Sequence, residues 1–159
     1  MNKNLYHGTI LEYSKSINKN GLIPKVGNIV ATSYGEHTVP LVFFADINKI
    51  DTVIGIIKQI IYLKLGSELN LYSRREVTPD MIKKYGVIYV VKQNAGILKR
   101  EGKNDISHPQ SVEKNDYYSR VAQKPIKEIK GKQLIEFINK NTPESLAVIL
   151  EKRSVFGRF

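Results

Sequence analysis

The chain contains no cysteine, which excludes disulfides, thiolate nucleophiles and cysteine zinc sites. Histidine is scarce: only His7, His37 and His108 occur, and such scattered imidazoles form no metal centre without carboxylate ligands, so none is expected. No apolar run approaches the length that crosses a bilayer, and Met1-Asn2-Lys3-Asn4 lacks the apolar stretch of a secretion signal. The expectation is a soluble, cytoplasmic protein with no membrane partner. A phosphate-loop fingerprint, internal repeats and low-complexity segments are also lacking. At 159 residues the chain is long enough for one domain with a real core, and a single domain over 1–159 is expected.

Acidic residues are in short supply. There are 15 against 25 lysines and arginines, a net charge of +10, and a positive field of that size favours polyanionic partners. Most of the excess is lysine spread along the whole chain, a pattern that serves plain solubility equally well. A basic surface that holds nucleic acid and a merely solvated one both stay open.

Residues Leu5-Tyr6-His7-Gly8-Thr9 read as the end of a buried strand running into a helix. His7 stands where the strand is expected to run out, and Gly8 lets a flat ligand lie against the backbone. Thr9, with Glu12 three residues on, has capping-box spacing for a helix that Gly21 and Pro24 would stop. Residues 25–40 read as loop with one short strand at Ile29-Val30-Ala31. Leu41-Val42-Phe43-Phe44-Ala45 is a compact apolar run, hence a buried strand, with Asp46 as the cap of a helix over Asp51 to Ile61. Tyr62-Leu63-Lys64-Leu65 is expected as a strand halted by Gly66. Thr78-Pro79 opens a short helix, and Val87 to Val91 is the clearest strand. Residues 93–110 read as an exposed loop or hairpin. Asp116 to Ser119 and Ile126 to Ile129 read as strands, Leu134 to Ile138 opens a helix, and Thr142-Pro143-Glu144 starts another. Helices early and late, with short strands between, define an α+β class and exclude a doubly wound parallel sheet.

Tyr6-His7-Gly8-Thr9, a helix ending in Gly21-Leu22-Ile23-Pro24, and then Phe43-Phe44-Ala45-Asp46 form an ordered set. The set resembles the ADP-ribosyltransferase superfamily of the histidine-tyrosine-glutamate type, which includes the poly- and mono-ADP-ribosyl polymerases, DNA-modifying toxins and RNA 2′-phosphotransferases. The resemblance covers the first third of the chain and implies a split β-sheet core with flanking helices. It further implies that His7, Gly8 and Thr9 hold NAD as substrate, that Phe43 or Phe44 stacks on nicotinamide, and that a glutamate sits on the nicotinamide ribose. Glu113 takes that catalytic place together with His7, in competition with Glu101, Asp105 and Asp116; Val112 before it and Tyr117-Tyr118 after it suggest a strand carrying it inward.

The chemistry asks for these residue types. Breaking the nicotinamide–ribose bond creates oxocarbenium character that a carboxylate stabilises, as in glycoside hydrolysis. His7 is expected to donate from one ring nitrogen to a ribose hydroxyl while the other is held by the scaffold, and the Gly8 backbone offers a donor and an acceptor that match a carboxamide. Alternate strand residues point to opposite faces, so at most one of Phe43 and Phe44 stacks.

Departures from the family narrow the activity. Phe43 stands where relatives carry tyrosine, and Ser111 stands two places before Glu113, where arginine-modifying relatives carry an acid or amide. A protein-arginine acceptor is therefore disfavoured, and a chain this short leaves little room for polymer extension. The expected activity is mono-ADP-ribosyl transfer to a nucleic acid or nucleotide. RNA 2′-phosphate transfer comes second, because only Arg74 and Arg75 are clustered. A binding module for NAD, ADP-ribose or nucleic acid that has lost turnover is the third reading.

Overall fold

A computed structural model describes residues 3–25, 40–101 and 115–152. Among them are six strands: β1 (Asn4–Ile10), β2 (Val42–Phe44), β3 (Gly86–Lys92), β4 (Ile97–Lys99), β5 (Tyr117–Ser119) and β6 (Lys127–Lys130). The α-helices are α1 (Ser14–Asn20), α2 (Ile50–Ile60), α3 (Pro79–Tyr85), α4 (Gly131–Asn141) and α5 (Leu146–Glu151). The strands form two antiparallel sheets, ordered β1-β3-β6 and β2-β5-β4. The class is α+β, as the element order in the sequence implies. The expected helix over Asp51 to Ile61 and the strands at 42–44, 87–91 and 117–119 are all present. None of the described helices is long and apolar enough to cross a membrane.

The first sheet is buried on both faces, which explains the uninterrupted apolar run Val87 to Val91. On one face Tyr6, Ile10, Ile88, Val90 and Ile129 pack with Val53, Ile54 and Ile57 of α2, Ile82 of α3 and Leu134 and Ile138 of α4. Each fully buried aliphatic of this kind contributes about 1.5–3 kcal/mol. The alternate residues Leu5, Val87, Tyr89 and Val91 form a second cluster with Ile17 of α1 and Val42, Phe44, Ile97 and Tyr117 of the second sheet.

Three local expectations are corrected. β1 does not stop at His7. It continues through Thr9, opposite Val87, to Ile10, opposite Gly86, because Ile10 is wholly buried in the first core. Thr9 therefore caps nothing: the chain enters a 3-10 turn at Leu11–Tyr13 with no side-chain cap, then α1. Gly21, at φ 81°, does end that helix. Second, 62–65 is no strand. Ile61–Leu65 continues α2 as a π-helical turn, since Ile57, Ile61 and Leu65 repeat every four residues and all three are buried. Third, Thr142 closes α4, donating to the Ile138 carbonyl at 2.8 Å. Ser145 caps α5 in its place, accepting from Val148 N at 3.3 Å. Within the segment read as loop or hairpin, 97–99 is β4, antiparallel to β5. The strand expected at Ile29-Val30-Ala31 lies outside the described residues.

Candidate active site at the seam between the sheets

The edge strands of the two sheets, β1 and β2, meet at one bridge. Tyr6 N donates to Ala45 O at 2.8 Å and Ala45 N donates to Tyr6 O at 2.9 Å. Beyond it the ladder does not continue. Gly8, two residues on, presents its N–H and C=O to the same side of β1 as Tyr6, yet no described residue takes them up. At the other end the seam is pinned by Lys3. Its ammonium lies 3.6 Å from the Asp46 carboxylate and donates to the Tyr117 hydroxyl at 3.2 Å. These two contacts raise the Lys3 pKa, Tyr117 most strongly. The arrangement is a seam pinned at one end, with the Gly8 peptide beyond the bridge left without a hydrogen-bond partner among the described residues.

His7 crosses this seam. Its Nδ1 is 2.7 Å from the Phe43 carbonyl oxygen. Burial pushes the imidazole pKa below its usual value, against the opposing pull of that bond. A carbonyl only accepts, so Nδ1 carries the proton, and a neutral ring then leaves Nε2 as an acceptor. The role expected from sequence, donation to a sugar hydroxyl, is thereby reversed: from this tautomer His7 accepts.

Gly8 is also explained differently. A Cβ there would lie 2.7 Å from Val53 Cγ1, 2.9 Å from Ile57 Cγ1 and 2.9 Å from the Val53 carbonyl. The missing side chain faces α2, not the seam. Glycine is required so that α2 can lie close on β1, and what reaches the seam is the peptide group alone.

The other expected site residues divide by strand alternation. Phe44 is buried with its ring centroid 5.9 Å from that of His7, edge-on at 60°. Phe43 contributes its carbonyl to the seam, while its ring packs on the opposite face of β2 with Leu41 and Tyr118. Thr9 is buried on the same face of β1 as His7. His7, Gly8, Thr9, Phe43 and Phe44 thus come together on the two strands that flank the seam. Glu113 lies outside the described residues, as do Asp105, His37 and His108. Of its competitors, Glu101 is exposed and Asp116 immediately precedes β5, the neighbour of β2.

Two polar features carried no signal in the sequence. One is the Lys3–Asp46–Tyr117 clamp, assembled from distant segments. The other extends the His7 row across the first sheet, where His7 opposes Tyr89 and Tyr89 opposes Glu128. The fully buried Tyr89 donates to Glu128 Oε2 at 2.7 Å, Asn18 donates to the same oxygen at 3.2 Å, and Lys130 pairs with Oε1 at 2.9 Å. Burial raises the Glu128 pKa, but these donors outweigh it and hold the carboxyl below its usual range. With both oxygens engaged, Glu128 is a structural anchor.

No group of three or more metal-ligating side chains occurs among the described residues. A depression of about 150 Å³ between Asn48, Asp51, Asn141 and Glu144 shares no residue with the seam. No protein-family model, curated protein or solved structure matches the chain.

Proposed function

We propose that the chain is a mono-ADP-ribosyltransferase that uses NAD as substrate and a nucleic acid or nucleotide as acceptor, on a split sheet of the ADP-ribosyltransferase kind. The observation that carries this reading is the seam itself. β1 and β2 are joined at Tyr6 and Ala45 and then part, leaving the Gly8 peptide without a partner among the described residues beside a neutral, backbone-clamped His7. The Gly8 N–H and C=O match the two hydrogen-bonding groups of a carboxamide. His7 Nε2 accepts from a ribose hydroxyl and fixes the sugar, and the Phe44 ring beside His7 offers an apolar wall to the pyridinium.

In the reaction the nicotinamide–ribose bond breaks, the electron pair leaves with nicotinamide, and an acceptor nucleophile bonds to the ribose carbon as it loses its proton. Glu113 is assigned the stabilisation of the oxocarbenium-like transition state. The test is nicotinamide release from NAD by purified protein. The wild type is expected to release it, and Glu113→Gln to lose release while still binding NAD. His7→Ala is expected to weaken both. NAD binding without release by the wild type would leave a binding module in place of the enzyme, and neither binding nor release would end the reading.

A further inference from the structure

The turn that follows the π-helical end of α2 presents an aromatic ring and two guanidinium groups on a rigid frame. Tyr72 is 89% exposed, the most exposed large hydrophobic side chain among the described residues. It does not sit on a loose loop. Ser73 and Glu76 form a reciprocal capping box around the 3-10 turn Arg74–Glu76, and the Glu76 carboxylate accepts from Tyr72 N at 2.5 Å and Ser73 N at 2.8 Å. That engagement occupies the nearest acid in the sequence. Arg74 is seated on α2 by donating to Gln59 Oε1 at 3.1 Å.

Lys58 is the buried member of the cluster, 5% exposed, with one N–H given to the Leu150 carbonyl at the C-terminal end of α5 at 2.7 Å. That bond is a helix C-cap and accounts for one of its three donors. Burial lowers its pKa, and the charges of Arg74 and Arg75 lower it further, with no carboxylate among the causes. Among the described residues no acidic side chain pairs with Lys58, Arg74 or Arg75. The two guanidiniums, whose charges act on Lys58, have no acidic partner among the described residues, and the exposed Tyr72 ring precedes Arg74 by two residues.

We propose that the Tyr72–Arg75 turn, backed by the field of Lys58, is a docking surface for single-stranded nucleic acid, with Arg74 and Arg75 on successive phosphates and one base stacked on Tyr72. Uncompensated guanidiniums fit phosphate oxygens, and an exposed aromatic adds stacking that a phosphate-only ligand would not use. The net charge of +10 supplies the long-range attraction. As a binding surface the proposal stands independently of NAD chemistry. As the place where the acceptor strand is held, it rests on the proposed transferase activity.

The test is fluorescence anisotropy of a labelled single-stranded RNA or DNA of about twelve nucleotides, long enough to cover a site of this kind, titrated with the full chain over a series of salt concentrations. The wild type is expected to bind with salt-dependent affinity. Arg74→Ala with Arg75→Ala should weaken binding roughly 10-fold or more and lower the salt slope by about 1.4, the value for two phosphates of a single strand. Tyr72→Ala should weaken it roughly 10-fold with the salt slope unchanged, and Tyr72→Phe should bind as wild type. Arg75→Ala alone, at an exposed position, guards against misfolding of the double variant. The proposal is overturned if the wild type does not bind, if these variants bind as tightly as wild type, or if Lys83→Ala with Lys84→Ala on α3 weakens binding equally. It is also overturned if anionic phosphatidylserine vesicles or a phosphopeptide bind in place of the oligonucleotide. His7→Ala should leave oligonucleotide binding intact, so loss of turnover and loss of docking are read separately.

Discussion

Substituting two glycines with the same residue should move stability in opposite directions. At Gly8 an added Cβ would stand 2.7 Å from Val53 Cγ1, 2.9 Å from Ile57 Cγ1 and 2.9 Å from the Val53 carbonyl oxygen. The two side-chain atoms could turn aside, but the carbonyl belongs to the backbone of α2, so the helix itself must move off β1. Overpacking of this kind costs about 1–3 kcal/mol. Restricting the unfolded chain returns about 0.4–1 kcal/mol, leaving Gly8→Ala less stable by about 1.3 kcal/mol at the centre of these two ranges. At Gly55, in the interior of α2, a Cβ would have no neighbour within 4 Å. There alanine should stabilise by about 0.8–1 kcal/mol through helix propensity alone. Thermal and urea unfolding followed by circular dichroism read both, at about 2–4 °C per kcal/mol for a chain of this length. A Gly8→Ala protein as stable as wild type would refute the close approach of α2 to β1, and with it the reason given for glycine at this position.

Three further outcomes are expected. The His7 pKa is lowered in the folded protein by burial, so the unfolded chain binds the proton more readily. Its contribution is full above the ordinary value of about 6.5 and is lost as pH falls from there towards the folded value; wild type should lose more stability between pH 8 and pH 5 than His7→Gln, by urea titration at each pH (about 1.5 units above and below the ordinary value). Removing the Tyr89 hydroxyl, which donates to Glu128 at 2.7 Å, should cost about 1.5–3 kcal/mol, the range for a hydrogen bond to a charged group, in equilibrium unfolding of Tyr89→Phe. Thr78→Ala should cost about 1 kcal/mol, because Thr78 Oγ1 accepts from Met81 N at 3.2 Å at the start of α3.

The strands that carry the seam were legible because their apolar runs are short, dense and bounded. Leu41 to Ala45 and Val87 to Val91 are buried from both sides, and burial of that sort leaves a local mark. Asp46 and Thr78 were legible for a similar reason, since a cap is read from a few neighbouring residues. Thr9 misled because capping-box spacing says nothing of Ile10, whose burial in the first core draws the strand three residues past His7. Tyr62 to Leu65 misled because its alternation imitates a strand, while the four-residue repeat of Ile57, Ile61 and Leu65 is the stronger organiser. The grouping of His7, Gly8, Phe43 and Phe44 was visible as a motif, but the division of labour within it was not. Which phenylalanine stands beside the imidazole depends on strand alternation and register. That Gly8 serves α2 depends on contacts to residues more than forty positions away. The Lys3 clamp and the Tyr89–Glu128 anchor are likewise long-range and leave no trace in sequence spacing.

The seam as a nicotinamide site is tested most directly at the Gly8 amide. In isotope-labelled protein, NAD should shift the backbone amide resonance of Gly8 as that N–H gains a carboxamide partner, while Tyr6, already bonded to Ala45, moves less. Nicotinamide should appear in the same tube. An unmoved Gly8 amide under saturating NAD, with no nicotinamide released, would contradict the assignment of the seam.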